Sequence, residues 1–235
     1  TWNFAIEAGL YSATVLAFFP MKTPYLQTRP EDSGGSPLAN FMEGLRYVRK
    51  QERVIWNLLV VGLIPNVLLH PVWFVLPVFT VEVLHRSADT GGILLAVTGF
   101  GGLLSALTIA SVGFGYNRGL ICLAAILLAS TTVVLFAFSH WMFLAMILIG
   151  LMSLAQATFR TSSSTLIQSL VPDHLRSRIT SLHLYSQGFV FMSSLAVGLL
   201  VDLTTVVIAL SVVGGAGILL GAISYLTLPG LRAAR

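Results

Sequence analysis

GLICLAAILLASTTVVLFAF at 119–138 is followed, after Ser139 and His140, by WMFLAMILIGLMSLAQATFRTSSSTLIQ at 141–168. Neither run holds a charged residue before Arg160. Each reaches the roughly 20 apolar residues that carry a helix across a bilayer. The short polar turn between them makes an antiparallel pair of spans. The runs are continuous rather than alternating, which argues against a membrane β-barrel. In lipid each backbone group must be satisfied internally, so the expected form is helical. Outward from this pair the pattern recurs at 1–20, about 54–84, 90–112, 179–203 and 205–228. The expected fold class is therefore all-α, a polytopic transmembrane bundle of seven apolar segments.

Composition agrees. The 235 residues are 56% hydrophobic and 9% charged, where a soluble domain is roughly 25% charged. The mean hydropathy is +0.88. So few charges cannot cover a water-facing surface of this size, and the lipid bilayer is the expected solvent and partner. The net charge of +4 comes from loop arginines. Such charge sets membrane orientation, and no nucleic-acid partner is expected from it. A single cysteine, Cys122, excludes an internal disulfide and a cysteine-based metal site. No phosphate-binding loop, no His-Glu-x-x-His and no G-x-S-x-G elbow occurs. The chain is expected not to be an enzyme and to need no cofactor or metal.

Residues 21–53 break the apolar pattern. Pro20, Pro24 and Pro30 lead to EDSGGSP at 31–37. Then Leu38, Phe41, Met42, Leu45 and Val48 recur at helical spacing, with Glu43, Arg46, Arg49, Lys50 and Arg53 between them. That is an amphipathic surface helix leading into the next span.

The basic residues now fix an orientation. Threading the spans alternately puts every Lys and Arg except Arg86 on one side. The positive-inside rule makes that side cytoplasmic. Residue 1 is then external, the C-terminus is cytoplasmic, and the chain is a multi-pass protein of the cell membrane.

Polar residues within spans usually face the bundle interior or a wet cavity, because a charge at the bilayer centre costs about 2.5–3.5 kcal/mol on insertion scales. Ser153, Gln156, Arg160, Ser164 and Gln168 recur three or four residues apart and share one helix face. Two roles fit this stripe: the wall of a substrate cavity, or a snorkelling arginine with interhelical hydrogen bonds. Thr180, His183, Gln187 and Ser194 form a similar face at 179–203. Asn66 and His70 lie four apart between Pro65 and Pro71, whose missing N–H groups can kink the helix. The candidate cavity residues are Asn66, His70, Ser153, Gln156, Arg160, Ser164, His183 and Gln187. Glu7 is the one carboxylate well inside an apolar run and is the candidate for ion coupling.

One lone crossing, a basic linker and six further crossings resemble the major facilitator superfamily, in which two six-helix halves are joined by a long cytoplasmic loop. GGILLAVTGFGGLLSALTIAS at 91–111 resembles the glycine-rich second helix of a half. GFGYNRG at 113–119 resembles a degenerate G-x-x-x-D-R-x-G loop, with Asn117 in place of the family Asp. TLIQSLVPDHLRSRITSL at 165–182 resembles the loop before the fifth helix of the second half in the enterobactin-exporter and macrolide-efflux branch. Its Arg-Gly-Arg triplet is Arg176, Ser177 and Arg178 here. The family's glycine-proline pattern after Gly188 is absent, with Phe191 and Met192 in its place.

The resemblance implies an organisation. Residues 1–20 are the last transmembrane helix of an N-terminal half, and 21–53 are the central cytoplasmic loop. Residues 54–228 are a complete six-helix C-terminal bundle, and 229–235 are a cytoplasmic tail. Arg118, Arg176 and Arg178 become candidates for a cytoplasmic gate. The expected function is secondary active transport, with ion-driven export of an amphipathic small molecule by alternating access, and the missing N-terminal half is an expected partner. Two other classes compete. A seven-helix receptor fits the termini but not the long first loop or the bare external turns. The permease subunit of an ATP-driven transporter would need a separate ATPase.

Overall fold

The computed structural model describes residues 2–19, 42, 45–46, 48–49, 53–87, 89–112, 117–171, 179 and 188–234. The chain forms two compact units, Thr1–Gly34 and Gly35–Arg235. The first contains α1, Trp2–Phe18. Within this unit Leu10, Tyr11, Leu16 and Phe18 are all more than 60% exposed, so the described part of the helix presents a broad apolar surface. Such a surface suits lipid or neighbouring helices.

The second unit holds α2 (Arg53–Ile64), a π-helical turn (Pro65–Leu69) and α3 (Val72–Glu82). It continues with α4 (Thr90–Val112), α5 (Arg118–Ala137), α6 (Met142–Leu170), α7 (Phe189–Leu203), α8 (Val206–Thr227) and the short α9 (Pro229–Arg232). Among the described residues five helical stretches are long and apolar enough to cross a membrane: Arg53–Glu82, Thr90–Ser111, Arg118–Ala137, Met142–Leu170 and Val206–Thr227. The first of these is α2, the π turn and α3 together. All the described secondary structure is helical.

Of the seven expected crossings, five correspond to these long helices, and among the described residues the other two expected runs hold the shorter α1 and α7. The 17 residues of α1 rise about 25 Å at 1.5 Å per residue, short of a hydrocarbon core of roughly 30 Å. The described part of α7 has 15 residues. Of the expected amphipathic helix before α2, Val48 is fully buried, Leu45 half-buried, and Arg46 and Arg49 exposed.

Within the second unit α4 packs on α6, α6 on α5, and α5 on α8. The broken helix 53–82 lies against this row, and α7 packs beside α8 and the π turn. Small residues permit the close approaches. A Cβ at Gly101 of α4 would collide with the Gly150 carbonyl of α6. One at Gly214 of α8 would lie 3.0 Å from the Ser130 carbonyl of α5. In lipid, association rests on such packing and on interhelical hydrogen bonds.

Two apolar clusters fill the unit. One gathers Val72, Leu76 and Phe79 of α3 with Val133 and Phe136 of α5, Ile149 of α6 and Leu210 of α8. The Phe79 and Phe136 rings stack with centroids 4.1 Å apart. The other gathers Val48 with Ile55 and Leu58 of α2, Cys122 of α5, Phe159 and Leu166 of α6, and Leu231 of α9. Cys122 is buried there, its Sγ 4.0 Å from the Phe159 carbonyl oxygen, in the packing role its apolar setting implies.

The loop before α5 is tied to the chain's last turn. Asn117 Oδ1 caps α5 by accepting from Leu120 N at 3.2 Å, while Asn117 Nδ2 donates to the Arg232 carbonyl. Gly119 N donates to Ala234 O at 3.2 Å. Asparagine can do both jobs because its side chain is donor and acceptor at once. An aspartate could keep the cap but would set a carboxylate oxygen against the Arg232 carbonyl. Losing that hydrogen bond costs about 1–3 kcal/mol, more than the roughly 0–1 kcal/mol an exposed ion pair with Arg118 could return. Asn117→Asp is therefore expected to lower the thermal unfolding midpoint in detergent, and an unchanged or raised midpoint would show that the clasp carries no stability.

Candidate functional site

A cavity of about 590 Å³ opens where the broken helix meets α4, α6 and the start of α7. Its volume lies in the range of small-molecule sites.

The break itself follows from two prolines. Pro65 and Pro71 bring no backbone donor. Between them the ladder widens to a π turn, closed by His70 N donating to Pro65 O at 2.8 Å. Beyond Pro71 it resumes with tight bonds, Trp73 N to His70 O at 3.2 Å and Phe74 N to Pro71 O at 3.0 Å. A π turn inside an α-helix is a costly irregularity that recurs at functional sites. Here it brings Asn66, His70, Trp73 and Phe74 to the cavity. The His70 and Trp73 rings lie 4.6 Å apart, tilted by 37°.

α6 supplies Ser153, Gln156, Phe159 and Arg160. α4 supplies Thr98, Gly99 and Gly102, and the chain at α7 supplies Gly188, Val190 and Phe191. The rim is open: Phe74 is 58% and Phe191 76% exposed, and Arg160 is exposed.

The polar stripe of α6 divides. Ser153 lines the cavity, yet its Oγ donates to the Thr98 carbonyl of α4 at 2.6 Å. One face further along, Ser105 of α4 and Thr158 of α6 pair through their hydroxyls at 2.9 Å. Ser164 is not in the lining and accepts from Gln168 Nε2 at 3.0 Å. These residues serve the helix contact or each other. Gln156 behaves differently, because its Nε2 is buried and has no hydrogen-bond partner among the described residues. Trp73 Nε1 is in the same state across the cavity. A buried donor left unmade costs about 1–3 kcal/mol, and such groups call for a particular explanation.

Of the residues expected to form a cavity, Asn66, His70, Ser153, Gln156 and Arg160 come together here. Ser164 stands apart. His183 and Gln187 lie outside the described residues, as do the gate candidates Arg176 and Arg178. Arg118 is the first residue of α5, half-buried at the bundle end that holds Arg232, and is not among the cavity residues. Glu7 is exposed on α1 in the other unit. Sequence reasoning missed Trp73 and Thr98. A signal existed for Trp73, three residues beyond His70 on the same helix. For Thr98 none did, because its contribution to α6 is a backbone carbonyl. Among the described residues no cluster of His, Cys, Asp or Glu could hold a metal ion.

Residues 1–194 match the family model described as the Major Facilitator Superfamily. The chain belongs to the Major Facilitator Superfamily. It is a multi-pass membrane protein with a fold suited to secondary transport, and members of this superfamily are not enzymes. No curated protein matches the chain.

The divided stripe gives a paired test by thermal unfolding. Ser153→Ala removes a bond between α4 and α6 and is expected to cost about 0.6 kcal/mol, the average for interhelical hydrogen bonds in membranes. Gln156→Leu removes a donor that has no partner and is expected to leave stability unchanged or raised. A loss at Gln156 equal to that at Ser153 would mean that both residues belong to one packing seam.

Proposed function

We propose that this protein is a secondary active transporter that exports an amphipathic small molecule by alternating access, driven by an ion gradient, most simply of protons. The cavity carries the reading. It is walled by polar and aromatic side chains from four helices, and it sits where one helix is interrupted, as binding sites of secondary transporters do. The residues proposed to face substrate are Asn66, His70, Ser153, Gln156 and Arg160, with His183 and Gln187 added from the sequence. Ser164 is retained only as a residue on the route toward the basic end. The resemblance of 165–182 to the enterobactin-exporter and macrolide-efflux branch supports export of a drug-, macrolide- or siderophore-like compound.

The organisation we propose is that of the two-half family. Residues 1–20 act as the last helix of an N-terminal half, 21–53 as the connecting cytoplasmic loop, 54–228 as the six-helix C-terminal bundle and 229–235 as its tail. A complementary half would close the open rim of the cavity. Arg118, Arg176 and Arg178 would serve as the gate on the basic side, and Glu7 would carry the coupling proton. The bond between Asn117 and the Arg232 carbonyl supports placing Arg118 and the tail at one end of the bundle.

Two experiments test this. In everted vesicles carrying the full-length protein, an imposed pH gradient is expected to drive accumulation of an amphipathic fluorescent dye, and Gln156→Leu should change its apparent affinity more than protein yield. Accumulation that follows ATP and ignores the gradient would make the protein a permease of an ATP-driven pump. For topology, with Cys122 replaced, single cysteines at positions 86 and 176 should label from opposite sides of intact cells. An impermeant maleimide is expected to reach Arg86→Cys from outside, and labelling of Arg176→Cys from outside would reverse the orientation.

A further inference from the structure

The cavity also has a chemical bias. Trp73 Nε1 can only donate a hydrogen bond, and the Arg160 guanidinium likewise has donors and no acceptor. Gln156 Nε2 is a third donor, and neither it nor Trp73 Nε1 meets an acceptor among the described residues. No Asp or Glu is among the residues that line the cavity. A bound molecule would therefore meet the positive charge of Arg160 and no carboxylate among the described residues, while the two unfilled N–H groups are buried and would reach it by turning of their side chains. Asn66, His70, Thr98 and Ser153 are the other polar residues of the wall, and Phe74, Phe159, Val190 and Phe191 make its apolar part.

A cationic amphiphile would fare poorly in such a place. It would bring its charge beside Arg160 and offer N–H groups to a wall whose two unpartnered polar atoms are themselves donors. A carboxylate or sulfonate on an aromatic or aliphatic body would supply what is missing. Its oxygens accept several donors at once, charge-assisted bonds to a guanidinium are short and strong, and its body would cover the exposed rings of Phe74 and Phe191.

We propose that the cavity selects amphipathic organic anions, with the acidic group held by Arg160, Trp73 and Gln156 and the apolar body laid against Phe74 and Phe191. This rests on the reading of the cavity as the substrate site and adds the charge class of the substrate. Trp73 and Gln156 would receive the acceptor atoms they lack once their side chains turn toward the bound group.

Three matched probes separate the two claims: 1-naphthaleneacetate, its neutral amide 1-naphthaleneacetamide, and 2-(1-naphthyl)ethylamine. The full-length protein in phosphatidylcholine nanodiscs would be equilibrium-dialysed against each tritiated compound, with empty nanodiscs subtracted. The acetate is expected to bind saturably and about ten-fold tighter than the amine, the scale of one charge-assisted bond. Arg160→Gln should weaken the acetate about ten-fold while leaving the amide within about two-fold. Trp73→Phe, which keeps the ring and deletes the N–H, should weaken acetate and amide together. Saturable binding in which the amine equals or exceeds the acetate would overturn the anion selectivity and leave the substrate cavity standing. An acetate affinity insensitive to both substitutions would likewise overturn it. Absence of saturable binding by all three probes would overturn the cavity reading and the selectivity with it.

Discussion

A peptide group in hydrocarbon has no water to bond, so a helix that crosses lipid must keep its own ladder intact or hide any gap inside the protein. The segment from Arg53 to Glu82 violates that ladder at Pro65 and Pro71 and hides the violation. Pro65 and Leu69 are buried, His70 N is returned to Pro65 O by the wider turn, and the opened side faces a cavity rather than lipid. The location of the cavity thus follows from the place, among the described residues, where the ladder widens to a π turn, whereas Pro77 further along removes a donor without interrupting α3. The other four long helices are uninterrupted, and they form the frame against which the broken one is held.

That frame is built from closeness rather than from a hydrophobic driving force, since lipid tails are as apolar as the side chains they would release. Gly101 of α4 admits the Gly150 carbonyl of α6, and the same contact carries the Ser153–Thr98 and Ser105–Thr158 bonds. Glycine and serine here act together: the first brings the backbones near, and the second uses the short distance. Outward-facing positions are large and apolar, such as Leu107, Phe143 and Leu226, at 59%, 74% and 72% exposure. In water a surface of this kind would drive association, and in a bilayer it meets its own solvent.

Much of this was legible in the sequence. Length and hydropathy decide where a helix must enter and leave lipid, so the expected runs at 90–112 and 119–138 lie within a residue of Thr90–Val112 and Arg118–Ala137. The prolines announced the break, and the spacing of Asn66, His70, Gln156 and Arg160 placed them on inward faces. What remained hidden depended on the neighbour. A helical period shows which residues share a face, but not that Ser153 would spend its proton on the Thr98 carbonyl while Gln156 one turn later would find nothing. Nor does Asn117 reveal that the acceptor for its amide is the Arg232 carbonyl, 115 residues away in sequence. Backbone acceptors leave no mark in residue identity.

The two apolar clusters give the break a mechanical meaning. α3 packs into the cluster with Phe79 and Phe136, and α2 into the one with Ile55, Cys122 and Leu231. A continuous α-helix would couple these clusters stiffly along its length. The Pro65–Pro71 segment replaces that coupling with one π bond and two tight turns, the kind of interruption at which helices bend sharply. The side chains at the bend are the same ones that line the cavity. A molecule bound by Trp73 and Arg160 would touch the broken helix on one side and the unbroken α6 on the other. Whatever its chemistry, its binding energy would act directly on the angle between the two halves of the helix. The cavity and the break in the helix are thus one feature of the sequence, set by two prolines six residues apart.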